Sequence, residues 1–167
     1  MKCSVVYHSE TGNTKAMAHA VAEGMRQVPG TEVRVFSIDA VEEEWLRESA
    51  CLVVGSPTYY ASVSGRMKLF LETLGRYGVA GKLGGAFATA NYVHGGAELA
   101  MQTILDHMLV CGMLVYSGGG AHGKPVIHLG PQAVAGQMAE AEETFLLYGR
   151  RMAGQAAKLF AGRSADE

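Results

Sequence analysis

The stretch "VVYHSETGNTKAMA", residues 5–18, decides the fold. A β-branched run gives way to small and polar residues, and the chain then takes up a helical pattern. A plain strand-to-helix turn needs far less. Ser9, Thr11 and Thr14 bring hydroxyls, and consecutive backbone N–H groups point the same way at a helix start. Such a concave set of donors suits a phosphate. The helix terminus carries roughly half a positive charge, so the site needs no lysine or arginine. Gly12 allows the backbone to turn closely around an anion, and Glu10 and Asn13 complete the loop. Neither G-x-x-x-x-G-K-[ST] nor G-x-G-x-x-G is present. A helix start with more caps than it needs is the competing reading of this loop alone.

Outward from this loop the chain alternates. Residues 2–7, 31–38, 50–55, 85–91 and 112–117 are short apolar runs bounded by turn residues, which predicts five strands. Between them, Met17, Val21, Met25 and Val28 mark one helical face. Met67, Phe70, Leu71 and Leu74 mark a second, and Met101, Ile104, Leu105 and Met108 a third. A short helix falls within 39–49, and a last one runs from about Ala133 to Phe160 after Pro131. Strands interleaved with helices predict an α/β fold: a doubly wound, five-stranded parallel sheet in three layers, α/β/α, with order 2-1-3-4-5. Residues 1–167 form a single domain on this reading. Ligands belong outside the carboxyl ends of strands 1, 3 and 4.

Two more loops reach that edge. "GSPTYYASVSGRMK" (55–68) places Tyr59 and Tyr60 where a turn is ordinarily polar, between Pro57, Thr58, Ala61 and Ser62. Adjacent aromatics at a ligand-facing end can stack on a flat ring. Ser64 then caps the third helix. "TANYVHGGAE" (89–98) contributes Thr89, Ala90, Asn91, Tyr92, Gly95 and Gly96.

A net charge of -2 with no basic stripe gives no electrostatic case for nucleic acid. The apolar run "MLVCGMLVY" is about half a membrane span, and Met1-Lys2 leads straight into a strand, so a cytoplasmic protein without a membrane segment is expected. Cys3, Cys51 and Cys111 form no C-x-x-C and read as buried free thiols. His107, His122 and His128 lack ligand spacing, so no metal is expected. The strand ends read "YHS" and "GSP", without the acids of a phosphorylated receiver domain.

The three loops together resemble the flavodoxin-like family. "SETGNT" matches its S-x-T-G-N-T phosphate loop, and "GSPTYYASVSGRMKLFLE" resembles the corresponding segment of its short reductase-like members; the likeness extends to about Leu159. The resemblance implies flavin mononucleotide (FMN), its phosphate on Ser9–Thr14 and its ring between Pro57–Ser62 and Thr89–Gly96. It also implies an oxidoreductase that passes hydride from NAD(P)H through FMN to a quinone or similar small acceptor. The alternative is a one-electron carrier that docks on redox partner proteins. Carriers of the family commonly place glycine near flavin N5, and here Ala61 stands there. Left-handed backbone costs alanine on the order of 1 kcal/mol, so this turn is expected to resist a peptide flip. Homo-oligomerisation stays open, because the insertion those reductases carry after strand 2 is missing. In "SGGGAHGKPVIHLGP" (117–131), His122 or Lys124 could meet a nicotinamide phosphate; a mobile surface loop is the competing reading.

Overall fold

A computed structural model describes residues 1–160. The parallel sheet is built from β1 (Lys2–Tyr7), β2 (Glu32–Ser37), β3 (Cys51–Tyr59) and β5 (Leu83–Ala90), with a fifth position shared by β6 (Leu114–Val115) and β7 (Gln132–Val134). Its order is β2-β1-β3-β5-β6, with β4 (Ser62–Val63) folded back antiparallel on β3. Setting aside that hairpin strand, this is the expected order. Register is continuous from Cys3↔Cys51 to Tyr7↔Gly55 between β1 and β3, and from Cys51↔Leu83 to Pro57↔Thr89 between β3 and β5. The three strands therefore end side by side. Val5, Val6, Val53, Val54 and all of β5 are buried, as strands covered on both faces must be.

The helices are α1 (Asn13–Arg26), α2 (Glu43–Glu48), α3 (Gly65–Glu72), α4 (Ala97–Val110) and α5 (Met138–Phe160). Helices α2, α3 and α4 cover one face, where Trp45, Leu46, Met67, Phe70, Met101 and Ile104 pack on Val6, Val54 and Ala86. On the other face α1 and α5 bring Met17, Val21, Phe145 and Met152 onto Val5, Val53 and Phe87. Helix α1 alternates as its sequence required, with Lys15, His19, Glu23 and Arg26 exposed opposite its buried methionines. Helices α1 and α5 cross in close contact because glycine stands at the crossing on both sides. A Cβ at Gly24 would lie 1.9 Å from the Leu146 carbonyl oxygen, and one at Gly149 would lie 2.0 Å from that of Val21.

Two expectations need correction. The last helix starts at Met138, not near Ala133, because residues 132–134 pair with Ala88, Thr89 and Ala90 as a strand. The expected fifth strand, 112–117, is only two residues long, pairs with Leu83 and Gly84, and hands the rest of its position to β7. Segment 116–131 loops out between the halves. The Arg151 guanidinium donates to its carbonyls at Gly118, Gly119, His122 and Pro125.

Of the thiols, Cys3 and Cys51 are buried and Cys111 is half-buried, and none forms a disulfide. A hydrogen bond that the Cys51 thiol donates to Cys3, together with burial, holds the Cys51 thiol well above its usual range, so it stays protonated and unreactive. Among the described residues no helix is long and apolar enough to cross a membrane.

Candidate functional site

The sheet order reverses between β1 and β3, and the expected loops meet there. Gly12 adopts φ +94° at the N-terminus of α1, with nothing within 4 Å of where a Cβ would stand. The glycine therefore serves the backbone rather than packing. Its N–H donates to Ser9 Oγ at 3.1 Å, which closes the loop into a tight turn. Thr14 is buried, and its Oγ1 lies 2.8 Å from Thr89 Oγ1, tying the first turn of α1 to the end of β5. Of the three hydroxyls expected to face a phosphate, Thr11 alone is exposed and without a recorded bond; Ser9 shapes the turn and Thr14 braces it.

Two adjoining clefts open above this loop. One, of about 60 Å³, is lined by Glu10, Thr11, Asn13, Thr14, Pro57, Thr58, Tyr59, Thr89, Ala90 and Asn91. The other, of about 190 Å³, is lined by Thr58, Tyr59, Tyr60, Ala61, Ala90, Asn91, Tyr92 and Gly95. Because they share Thr58, Tyr59, Ala90 and Asn91, they form one groove, polar at the α1 end and aromatic at the other. Four of the expected residues do not line it. Ser9 and Gly12 shape the turn below, Ser62 pairs with Tyr59 in the hairpin, and Gly96 begins α4.

The hairpin departs from the sequence reading. Tyr60 and Ala61 both take left-handed backbone, φ 50° and 57°, between the paired Tyr59 and Ser62. That is the two-residue hairpin geometry that favours Asn-Gly. Alanine thus occupies the conformation it was expected to resist. The double substitution Tyr60→Asn with Ala61→Gly is expected to stabilise the apoprotein by about 1–2 kcal/mol, measured by urea denaturation. A destabilised double variant would show that the tyrosine ring holds the turn. Tyr60 is fully exposed at the tip, 106%, and Tyr92 faces it from the third loop at 75%.

One observation suits a ligand with a polar edge in this groove. Thr58 lines both clefts, and its Oγ1 is buried with no hydrogen-bond partner. A buried hydroxyl left unpaired costs about 1–3 kcal/mol, and a polar ring edge in the groove would supply its partner. His94, in the third loop, is exposed. His122 is turned onto the Tyr116 hydroxyl at 2.8 Å, and Lys124 is exposed on the same loop. Sequence reasoning missed His8, buried directly before the phosphate loop, and Arg151, which fixes loop 116–131 from a helix read only for its apolar face.

Fold and groove define a doubly wound protein with a groove, polar at one end and aromatic at the other, at the point where strand order reverses. A sequence profile described as flavodoxin matches residues 5–109. The flavodoxin of Clostridium saccharobutylicum is 41% identical over 160 residues, spanning 96% of this chain and 100% of that protein. An NAD(P)H dehydrogenase (quinone) of Solidesulfovibrio magneticus is 33% identical over 143 residues, spanning 69% of this chain and 70% of that one. Among solved structures, the flavodoxin, WrbA-like protein from Agrobacterium tumefaciens superposes with a TM-score of 0.80 at 26% identity, over 94% of this chain and 98% of that chain. The chain belongs to the flavodoxin family, whose members bind FMN.

Proposed function

We propose that this chain binds FMN and works as an electron-transfer flavoprotein serving redox partner proteins. The observation that carries the reading is the groove itself. Its polar end is lined by Glu10, Thr11, Asn13 and Thr14, and its aromatic end is open to solvent between Tyr59, Tyr60 and Tyr92. FMN, when bound, supplies reversible electron uptake. The chain's part is to hold the phosphate with the loop from Ser9 to Thr14, to offer Thr58 Oγ1 to the ring, and to leave one ring edge reachable. Likeness to a flavodoxin over 96% of this chain and 100% of that protein supports the carrier role.

A second reading, an NAD(P)H-dependent reductase of a quinone or similar small acceptor, is favoured by another cleft. About 510 Å³ lies between the first turns of α4, the 126–132 segment and α5, with Glu98, His128, Gln132 and Thr144 among apolar walls. That volume is in the range of small-molecule sites, and Glu98 follows closely on Gly95, which lines the groove. Likeness to proteins named NAD(P)H dehydrogenase (quinone) supports it as well.

Anaerobic mixing of the FMN-loaded protein with NADPH, and separately with NADH, separates the two. For a carrier, the visible flavin band persists for minutes, and the dithionite-reduced protein then passes electrons to cytochrome c. Bleaching within seconds of adding either nucleotide would establish the reductase. Failure to retain FMN would sink both readings.

A further inference from the structure

His8 is 4% exposed and stands at the end of β1, with its backbone N–H on the Gly55 carbonyl at 3.2 Å. Its Nδ1 lies 2.8 Å from Ser64 Oγ. The same oxygen accepts the Met67 N–H at 3.2 Å and so caps α3. The Ser64 hydroxyl can give its own proton to Nδ1 beside it. A neutral His8 held this way carries its proton on Nε2. Nε2 lies 3.0 Å from Glu10 Oε1, yet it has no hydrogen-bond partner, so the two groups are near but not aligned. Glu10 in turn is half-exposed and lines the phosphate end of the groove beside Thr11 and Asn13.

A carboxylate at that position repels an incoming phosphate dianion. Other charges stand on the neighbouring elements. Asp39 after β2 and Arg66 in the first turn of α3 pair with each other at 2.5 Å, and Lys15 and His19 on α1 are exposed. Glu10 is the one charged group recorded in contact with the His8 ring among the described residues.

We propose that His8 is a positioning residue of the phosphate site that takes up a proton as the phosphate binds. Its imidazolium forms an aligned ion pair with Glu10 and offsets that carboxylate against the dianion. The proposal rests on the FMN reading above. The proton enters at Nδ1; Ser64 Oγ then accepts from Nδ1 while keeping the Met67 N–H on its other lone pair, so the cap on α3 survives. The sign follows from linkage. Binding favours charged His8, so the gain in affinity is complete at pH values where free His8 is already protonated. It is lost as pH rises through the titration of His8 in the complex.

The test is calorimetric titration with FMN at pH 7 in two phosphate-free buffers of different ionisation enthalpy, on the wild type, His8→Gln and Glu10→Gln, with Kd measured from pH 6 to 8.5. The FMN phosphate itself titrates near pH 6, but it does so in all three proteins and cancels in their Kd ratios. The wild type is expected to take up more protons than His8→Gln, and its affinity advantage over that variant to shrink about tenfold across the range. Glu10→Gln is expected to bind more tightly than the wild type at pH 8.5 and to lose that edge at pH 6. Equal proton uptake in the wild type and His8→Gln, or a pH-independent ratio for Glu10→Gln, overturns the proposal. Glu10 is on the surface, so its variant decides the matter if His8→Gln fails to fold. If none of the three binds FMN, the cofactor assignment itself falls, and this proposal with it.

Discussion

Gly149→Ala is expected to cost the protein about 3 kcal/mol, read as a lower midpoint in urea denaturation. One methyl group does this because of where it would sit: 2.0 Å from the Val21 carbonyl oxygen and 2.9 Å from the Met25 nitrogen. Both are backbone atoms of a helix and cannot turn aside as a side chain could. Helix α5 would have to lift off α1, opening the layer that Val21, Met25, Phe145 and Met152 fill. Gly154, on the same helix, has nothing within 4 Å of its Cβ position and is the control. Gly154→Ala should gain up to about 1 kcal/mol from helix propensity alone. Equal effects at the two sites would mean that the helices do not cross as described.

Thr58→Val is expected to act in opposite directions on two measurements. Fluorescence titration should show FMN affinity falling by tenfold or more, since a lost hydrogen bond of this kind is worth about 1.5 kcal/mol or above. The FMN-free protein, in contrast, should hold its stability or gain some, because a buried hydroxyl without a partner is exchanged for a methyl group. Thr14→Val is the comparison. Its hydroxyl is already bonded to Thr89, so losing it should lower affinity and stability together. A Thr58→Val protein that binds FMN unchanged would remove the hydroxyl from the flavin's surroundings.

Strands 1 to 4 of the expected set, and the loops after three of them, were legible from sequence because each carries its own local signal. Val5–Val6, Val53–Val54 and Phe87 sit in short apolar runs, and Gly12, Pro57 and Gly95–Gly96 punctuate the loops. The fifth position was not legible. Leu114–Val115 and Gln132–Val134 are too short to show a period, and both depend on the neighbouring edge of β5 for their pairing. Residues 133–137 lead into the apolar pattern of α5 with no break stronger than Gly136, so strand and helix merge on the page. The left-handed turn at Tyr60–Ala61 hid for the opposite reason: its residues argue against it locally, and tertiary pairing of Tyr59 with Ser62 imposes it. His8 gave no signal at all. A single histidine after a strand acquires meaning from Ser64, which lies 56 positions away in sequence.

The embrace of α1 by α5 also fixes the order in which the chain can mature on a ribosome. The first helix is made long before the last, yet the surface that covers Val21 and Met25 belongs to residues from Met138 onward. Until that last segment leaves the exit tunnel, one side of the growing sheet is covered by α1 alone and stays partly open to chaperones or to neighbouring nascent chains. A chain that ends between Thr14 and Met138 therefore carries the whole Ser9–Thr14 loop but lacks the helix that packs behind it.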